Sequence, residues 1–236
     1  MRVKELIERI RRRWKLLLRV SLMLILIAQV ALAIAWNGSF ERLSYDSSYA
    51  FRDPASVTNI VLVYLDDESF RRLGRQGDGT LHRTNWIRFL ERAKKAEPNV
   101  VLFDFDFSES NEAPLVDARF AQAIRNHGKV VLGSRYERTE AAGGPIQRVI
   151  TPIDPLLQAA ARWGHLNLPI DPDRVVRKMP MPFKDVQPAS WMAARLLGAT
   201  LPEQAANRDD RWLYYPGPNA SKAFPSYTLI DALIDI

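Results

Sequence analysis

The 236 residues contain no cysteine, which excludes a disulfide framework, a thiol nucleophile and a thiolate metal site. Histidine is scarce. His82, His127 and His165 lie far apart, and none stands in a metal-ligand spacing. Neither a G-x-S-x-G elbow nor a phosphate-binding P-loop occurs, so two common routes to hydrolysis have no carrier. Internal repeats and low-complexity tracts are absent too. Most of the chain also lacks an excess of either charge. The net +6 resides in residues 1–19, where Arg2, Lys4, Arg9, Arg11, Arg12, Arg13, Lys15 and Arg19 face only Glu5 and Glu8, leaving 25 residues of each sign in the remainder. A neutral body offers no general polyanion surface, and no nucleic-acid partner is expected.

What the chain does have is an uncharged run of 21 residues, Val20 to Phe40, directly after the basic tail. At about 1.5 Å per residue it is long enough to cross the roughly 30 Å hydrocarbon core. Trp14 and Trp36 bracket it as interfacial anchors, and Arg19 is placed to snorkel toward head groups. Positive-inside bias puts the tail in the cytoplasm and everything after Trp36 outside, with the lipid bilayer as first partner. A cleaved signal peptide is the rival reading, since Ala33-Ile34-Ala35 has the small-x-small form that a signal peptidase accepts. Either way the body is exported. The expected organisation is a basic tail over 1–19, a transmembrane helix over 20–40, a helical or extended stalk over 41–58, and a domain over 59–236.

With 47% apolar and 25% charged residues the body is an ordinary globular chain. Asn59 to Leu65 reads as a strand, and Asp67 as the cap of a short helix stopped by Gly74. A helix over about 85–96 turns Trp86, Phe89, Leu90 and Ala93 to one side. Val100 to Phe105 is the next strand, its Val100–Phe103 run apolar enough for a sheet covered on both faces. A helix over about 115–127 follows, with Val116, Phe120 and Ile124 aligned and Gly128 as its stop, and then a strand over 129–134. Strand and helix alternate, which predicts an α/β fold of three layers: a mostly parallel sheet with helices on both faces, preceded by the one N-terminal transmembrane helix. Eight prolines between 145 and 188 predict an irregular wrap there. A helix over 189–197, a strand over 212–215 and a helix from near Ser226 complete the order.

The stretch FDFDFSES, Phe103 to Ser110, alternates so that its phenylalanines share one side of a strand and Asp104 and Asp106 the other. Ligands of open α/β sheets bind beyond the C-terminal strand ends. If the first two strands are neighbours, Asp66, Asp67 and Glu68 meet Asp104, Asp106 and Glu109 there, an oxygen-rich set able to bind a hard cation or a polar ligand. Asp66, Asp104 and Asp106 are the metal candidates, with magnesium or calcium as the ion, and one of the crowded carboxylates should have a raised pKa. The other reading has these acids capping the helices and loops that follow. The D-x-D at a strand end also resembles a haloacid-dehalogenase-like phosphatase, with Asp104 and Asp106 as nucleophile and acid.

Taken together, IVLVYLDDESFRRLG, LHRTNWIRFLERAKKAEPNVVLFDFDFSES, GKVVLGS, GHLNLPIDPDRVVRKMP, ASWMAARLLG and FPSYTLIDAL resemble the second type of CHASE domain from about Leu43 to Leu233. That is the extracytoplasmic sensor module of bacterial cyclases, histidine kinases and related proteins. The resemblance implies a non-catalytic ligand-binding domain at the bacterial inner membrane, an unknown small ligand, and Arg83 beside the six acids as candidate binding residues. A non-catalytic membrane scaffold is a further alternative. Two places depart from the family: the loop before Arg83 reads GDGTL, and Arg174 stands where the family tends to have glycine. Such proteins also continue into a further strand, more membrane helices and a cytoplasmic output domain. The resemblance therefore implies a sensor domain incomplete at its C-terminus, completed by homo-oligomerisation or by a signalling partner in trans.

Overall fold

The computed structural model describes residues 3–35, 39–52, 55–74, 80–110, 114–141, 144–200, 211–216 and 222–234. They form two compact units, residues 1–56 with 215–223, and residues 57–214 with 224–236.

The first unit is helical. Its helix α1, Val3–Ala35, has 33 residues and is therefore about 50 Å long. Between Arg11 and Ala33 it holds an 18-residue stretch of mean hydropathy 2.4 with no buried residue, long and apolar enough by length and composition to cross a membrane. Of the uncharged run Val20–Phe40, the described residues are helical: those up to Ala35 belong to α1, and Ser39 and Phe40 open a second helix, α2, Ser39–Ala50. Trp36 and the Asp53-Pro54 stop lie outside the described residues. On α2, Tyr45 and Tyr49 stand with ring centroids 4.8 Å apart, and Tyr49 meets Tyr215 edge-on at 6.0 Å. The returning segment is tied by Ala55 N–H donating to the Pro216 carbonyl at 2.7 Å. Tyr215 therefore belongs to the helical unit and not to a strand over 212–215, of which only a bridge between Trp212 and Lys178 forms.

The second unit is α/β. Strand β1, Leu62–Tyr64, is shorter than the apolar run around it and leads into α3, Asp67–Leu73. Helix α4, Arg83–Ala93, continues as a 3-10 turn to Ala96, and β2, Val101–Asp106, follows. Helix α5, Pro114–His127, leads to β3, Val130–Ala141. Gly74 and Gly128 do stop α3 and α5. Their φ angles of 83° and 78° are open to glycine at no steric cost, and each N–H closes the last turn, on Phe70 O and Ile124 O, at 3.0 Å.

From 135 to 165 the chain is more regular than its prolines suggest, whereas 166–188 holds only turns and isolated bridges, the irregular wrap they predict. β3 runs on to Ala141 and pairs antiparallel with β4, Gly144–Ile150, whose Pro145 sits at the hairpin end opposite Glu140. Proline is tolerated at such a strand start. Helix α6, Asp154–Ala159, then crosses to β5, Arg162–His165, which pairs parallel with β3 on the side away from β2. Helix α7 spans Ala189–Leu196, and β6, Ser226–Thr228, precedes α8, Leu229–Ile234. Thr228 caps α8: Asp231 N–H donates to its hydroxyl at 3.2 Å while that hydroxyl donates to the Asp231 carboxylate at 2.6 Å.

The parallel core is thus β2-β3-β5, with β4 as an antiparallel extension. One face carries the larger core, in which α4, α5 and α6 bury Trp86, Leu90, Phe120, Ile124 and Leu156 against Phe103, Val130 and Leu132. The other face carries α7, with Trp191 and Met192 packed on Val131. Period-2 alternation decides which valine goes where. Gly164 explains how α7 comes so close. A Cβ there would stand 2.5 Å from Gln187 O and 2.7 Å from Ala189 N, backbone atoms with nowhere to go.

Candidate functional site

β1 does not lie beside β2. It pairs in parallel with β6 in a separate two-stranded sheet, so the expected crowding of six carboxylates between neighbouring strands does not arise. β2 in turn is an edge strand, and Leu102 within its apolar run is 38% exposed. The C-terminal ends of β1 and β2 nevertheless flank a common cleft of about 290 Å³. Leu65 and Phe70 come from the first end, Phe105, Asp106 and Phe107 from the second, and Thr80, Leu81, Arg83 and Trp86 from the start of α4 and the segment before it.

A bulge in β2 shapes this edge. Phe103 is opposite Leu132 and Asp106 opposite Gly133 on β3, so Asp104 and Phe105 have no counterpart there. Bulges of this kind re-aim the side chains that follow. Gly133 is closely covered at this point: a Cβ there would stand 2.2 Å from Leu166 Cδ1 and 3.0 Å from the Phe105 carbonyl oxygen. Phe105 and Phe107 reach the cleft, while Asp104 stays on the outer face, exposed.

The acids are satisfied one by one. Asp66, not Asp67, caps α3, accepting from Ser69 N–H at 2.9 Å. Those bonds from Ser69 hold its carboxyl below the usual pKa, opposite to the rise that crowding would cause. Asp67 is exposed and Glu68 pairs with Arg71 on the same helix. Ser69, fully buried, accepts from Ile230 N–H of α8 at 3.2 Å. The Asp66-Asp67-Glu68-Ser69 motif therefore positions two helices. Asp106 pairs with Arg135 of β3, which also donates to Glu137 at 2.8 Å, and accepts from Ser108 N–H at 2.8 Å. Of the six acids, Asp106 alone lines the cleft. Among the described residues no group of three or more acids or histidines is arranged to hold a metal ion, so the magnesium or calcium expectation finds no ligand set there.

Arg83 lines the cleft from behind. Its side chain and that of Asp117 are 4% and 5% exposed, with Arg83 Nη1 2.9 Å from Asp117 Oδ1. Arg83 also donates to the Glu109 carbonyl, and Ser110 Oγ donates to Asp117 Oδ2. Glu109 thus enters through its backbone. Together these bonds pin the loop after β2 between α4 and α5. Asp117 and Arg135 are the two charged residues that sequence reasoning missed. Asp117 falls at i, i+3, i+4 and i+7 with Phe120, Ala121 and Ile124, the positions buried on α5. An acid in such a stripe signals a buried partner.

The remaining motifs brace the far end of the sheet. Asn167 clamps the Tyr136 backbone, accepting from its N–H at 2.9 Å and donating to its carbonyl at 3.1 Å. His165 Nε2 lies 2.9 Å from Met181 O, and burial pushes the imidazole pKa below its usual value against the opposing pull of that carbonyl. Arg177, 3% exposed, holds Asp171 and Asp173 at 2.9 and 2.8 Å. Arg174 in that turn has φ 65°, a left-handed conformation that costs a non-glycine residue about 1–2 kcal/mol. Glycine would return about 0.4–1 kcal/mol of unfolded-state entropy. Arg174→Gly is therefore expected to raise stability by roughly 0.5 kcal/mol and Arg174→Val to lower it by at least about 1 kcal/mol, read as shifts of the urea midpoint at constant slope.

A CHASE2 domain family model matches residues 20–235. No curated protein and no solved structure matches the chain. The match runs from within α1 through β6 and α8, so the cleft, the bulged strand and both charged pairs lie inside it, and it agrees with the resemblance carried by the motifs. The chain belongs to the CHASE2 domain family, an extracytoplasmic sensory domain family of signal-transduction proteins.

Proposed function

We propose that this chain is a membrane-anchored sensor whose α/β unit lies outside the cytoplasm and binds a small ligand in the cleft between the ends of β1 and β2. The observation that carries the reading is the cleft's make-up: an apolar floor of Leu65, Phe70, Leu81, Trp86, Phe105 and Phe107, with Thr80, Arg83 and Asp106 as the polar groups. Largely apolar concavities with a few fixed polar groups are the usual form of a small-molecule site. Arg83 is already engaged by Asp117 and Glu109, whereas Asp106 is about two-fifths exposed at its side chain. The ligand that fits has an apolar, ring-sized body and a hydrogen-bond donor directed at Asp106. No catalytic step is assigned. Asp104 lies away from the cleft and Asp106 is held by Arg135, an arrangement that does not favour a phosphatase reading.

Anchoring rests on the basic residues before the apolar part of α1, which favour a cytoplasmic N-terminus. An enzyme reporter that works only outside the cytoplasm, fused after Ser56, is expected to be active, and the chain to stay with membranes in high salt. Activity of a cytoplasm-only reporter at the same junction would reverse the topology. A soluble product starting near Trp36 would instead establish cleavage.

A further inference from the structure

We propose that α2 lies along the membrane surface on the side where α1 emerges, with the stripe Phe40, Leu43, Ser47, Ala50 and Phe51 set into the boundary between head groups and acyl chains. Counted from Phe40 these positions fall at i, i+3, i+7, i+10 and i+11, so they share one side of the helix, Phe51 following one residue past its end. Phe40, Leu43 and Phe51 are 59%, 64% and 92% exposed. The opposite side of α2 is taken. There Tyr45 and Tyr49 are half-buried, with Tyr215 edge-on to Tyr49 and the Arg52 guanidinium 4.9 Å above its ring.

Chain continuity names lipid as the occupant. The apolar stretch of α1 runs to Ala33, the helix ends at Ala35 and α2 begins at Ser39. Four residues reach at most about 14 Å, so the start of α2 stays close to the membrane face. Standing upright, its 12 residues would carry Phe51 about 18 Å further into water. Lying flat brings Phe40, Leu43 and Phe51 to one depth. A helix this short is also marginal in water by itself and gains from an apolar surface along its free length.

Ser47 is the one polar side chain within the stripe, and its hydroxyl donates to the Ser44 carbonyl at 2.9 Å. It can enter an apolar boundary without leaving a donor unpaired. Charge does not supply the contact, because α2 carries a single cation, Arg42, against Glu41 and Asp46. Attraction to anionic head groups is thus absent, and burial of the bulky apolar side chains is what holds the helix down.

The inference rests on α1 being retained as an anchor, and one experiment reads the two apart. Cysteine is absent, so single nitroxide labels can be placed in the full chain at Leu43→Cys, Ser47→Cys and Ala50→Cys on the stripe, at Glu41→Cys and Ser48→Cys off it, and at Leu24→Cys within α1. The labelled chains are reconstituted in phosphatidylcholine vesicles with and without phosphatidylglycerol, and relaxation of each label by oxygen is compared with relaxation by a water-soluble nickel chelate. The oxygen-to-nickel ratio is expected to be several-fold higher at 43, 47 and 50 than at 41 and 48, and the same in both lipids. Equal nickel access on both sides of α2, a contrast that appears only with phosphatidylglycerol, or stripe positions closed to both reagents, as beneath a second protein surface, would overturn the lipid contact. A label at 24 open to the nickel chelate would overturn the anchor and the inference with it, whereas a lipid-like signal at 24 beside a flat profile on α2 would overturn the inference alone.

Discussion

Asp117→Ala is expected to lower the stability of the α/β unit by about 3–5 kcal/mol, the cost of leaving one buried ion without its partner. Arg83 would keep its charge at a place where its side chain is 4% exposed. Its bond to the Glu109 carbonyl offsets part of that charge's lost hydration. Folded domains retain only about 5–15 kcal/mol in all, so the loss is a large fraction of the total and on the order of 10 °C in melting temperature. Two charges buried together need not stabilise more than two well-packed apolar groups. Arg83→Met with Asp117→Leu should therefore recover to within about 1–2 kcal/mol of wild type. Chemical denaturation of the three proteins measures this. A cost below 1 kcal/mol for Asp117→Ala would mean that the pair is not sequestered.

Phe103→Ala should cost a similar 3–5 kcal/mol for a different reason. Phe103 is 2% exposed and is the hub of the aromatic core, with ring centroids 5.7 Å from Trp86, 6.0 Å from Phe89, 5.7 Å from Phe107 and 6.2 Å from Phe120. Removing the ring leaves a cavity that the rigid strand can only partly close, and it forfeits several edge-to-face contacts. Trp86 and Phe107 also line the cleft, so the variant should loosen the site. The neighbouring substitution Asp104→Ala, one residue along on the exposed face, should stay within about 0.5 kcal/mol of wild type. Equal effects at 103 and 104 would contradict the alternation assigned to β2.

That alternation was legible because it comes from period-2 geometry alone, as the glycine stops of α3 and α5 come from backbone sterics. Strand pairing was not. Nothing local in Leu62–Tyr64 tells that its partner is Ser226–Thr228, some 160 residues on, and the acids were grouped by assuming that successive strands are neighbours. The β3–β4 hairpin was hidden for another reason: its residues are largely polar and Pro145 suggested irregular chain, whereas proline only opens the strand. On α5, Val116 and Asp117 both fit the spacing set by Phe120 and Ile124, and hydropathy favoured the valine over the buried acid. The family motifs were visible as letters but their tasks were not. Asp66 and Ser69 cap and join helices, and Asn167 clamps a strand.

The sensing role is tested most directly by melting the full chain in detergent against a panel of small molecules that carry a ring or branched apolar body and one amine or hydroxyl donor. Wild type, Thr80→Trp, which fills the cleft from its exposed rim, and Asp106→Asn are compared side by side. Saturating a site at 100 times the dissociation constant contributes about 2.7 kcal/mol. At least one compound is expected to raise the wild-type melting temperature by roughly 5–10 °C, to lose its effect in Thr80→Trp and to be weakened in Asp106→Asn. If no compound in the panel stabilises the wild type, or stabilisation persists unchanged in Thr80→Trp, the cleft is not the sensory site.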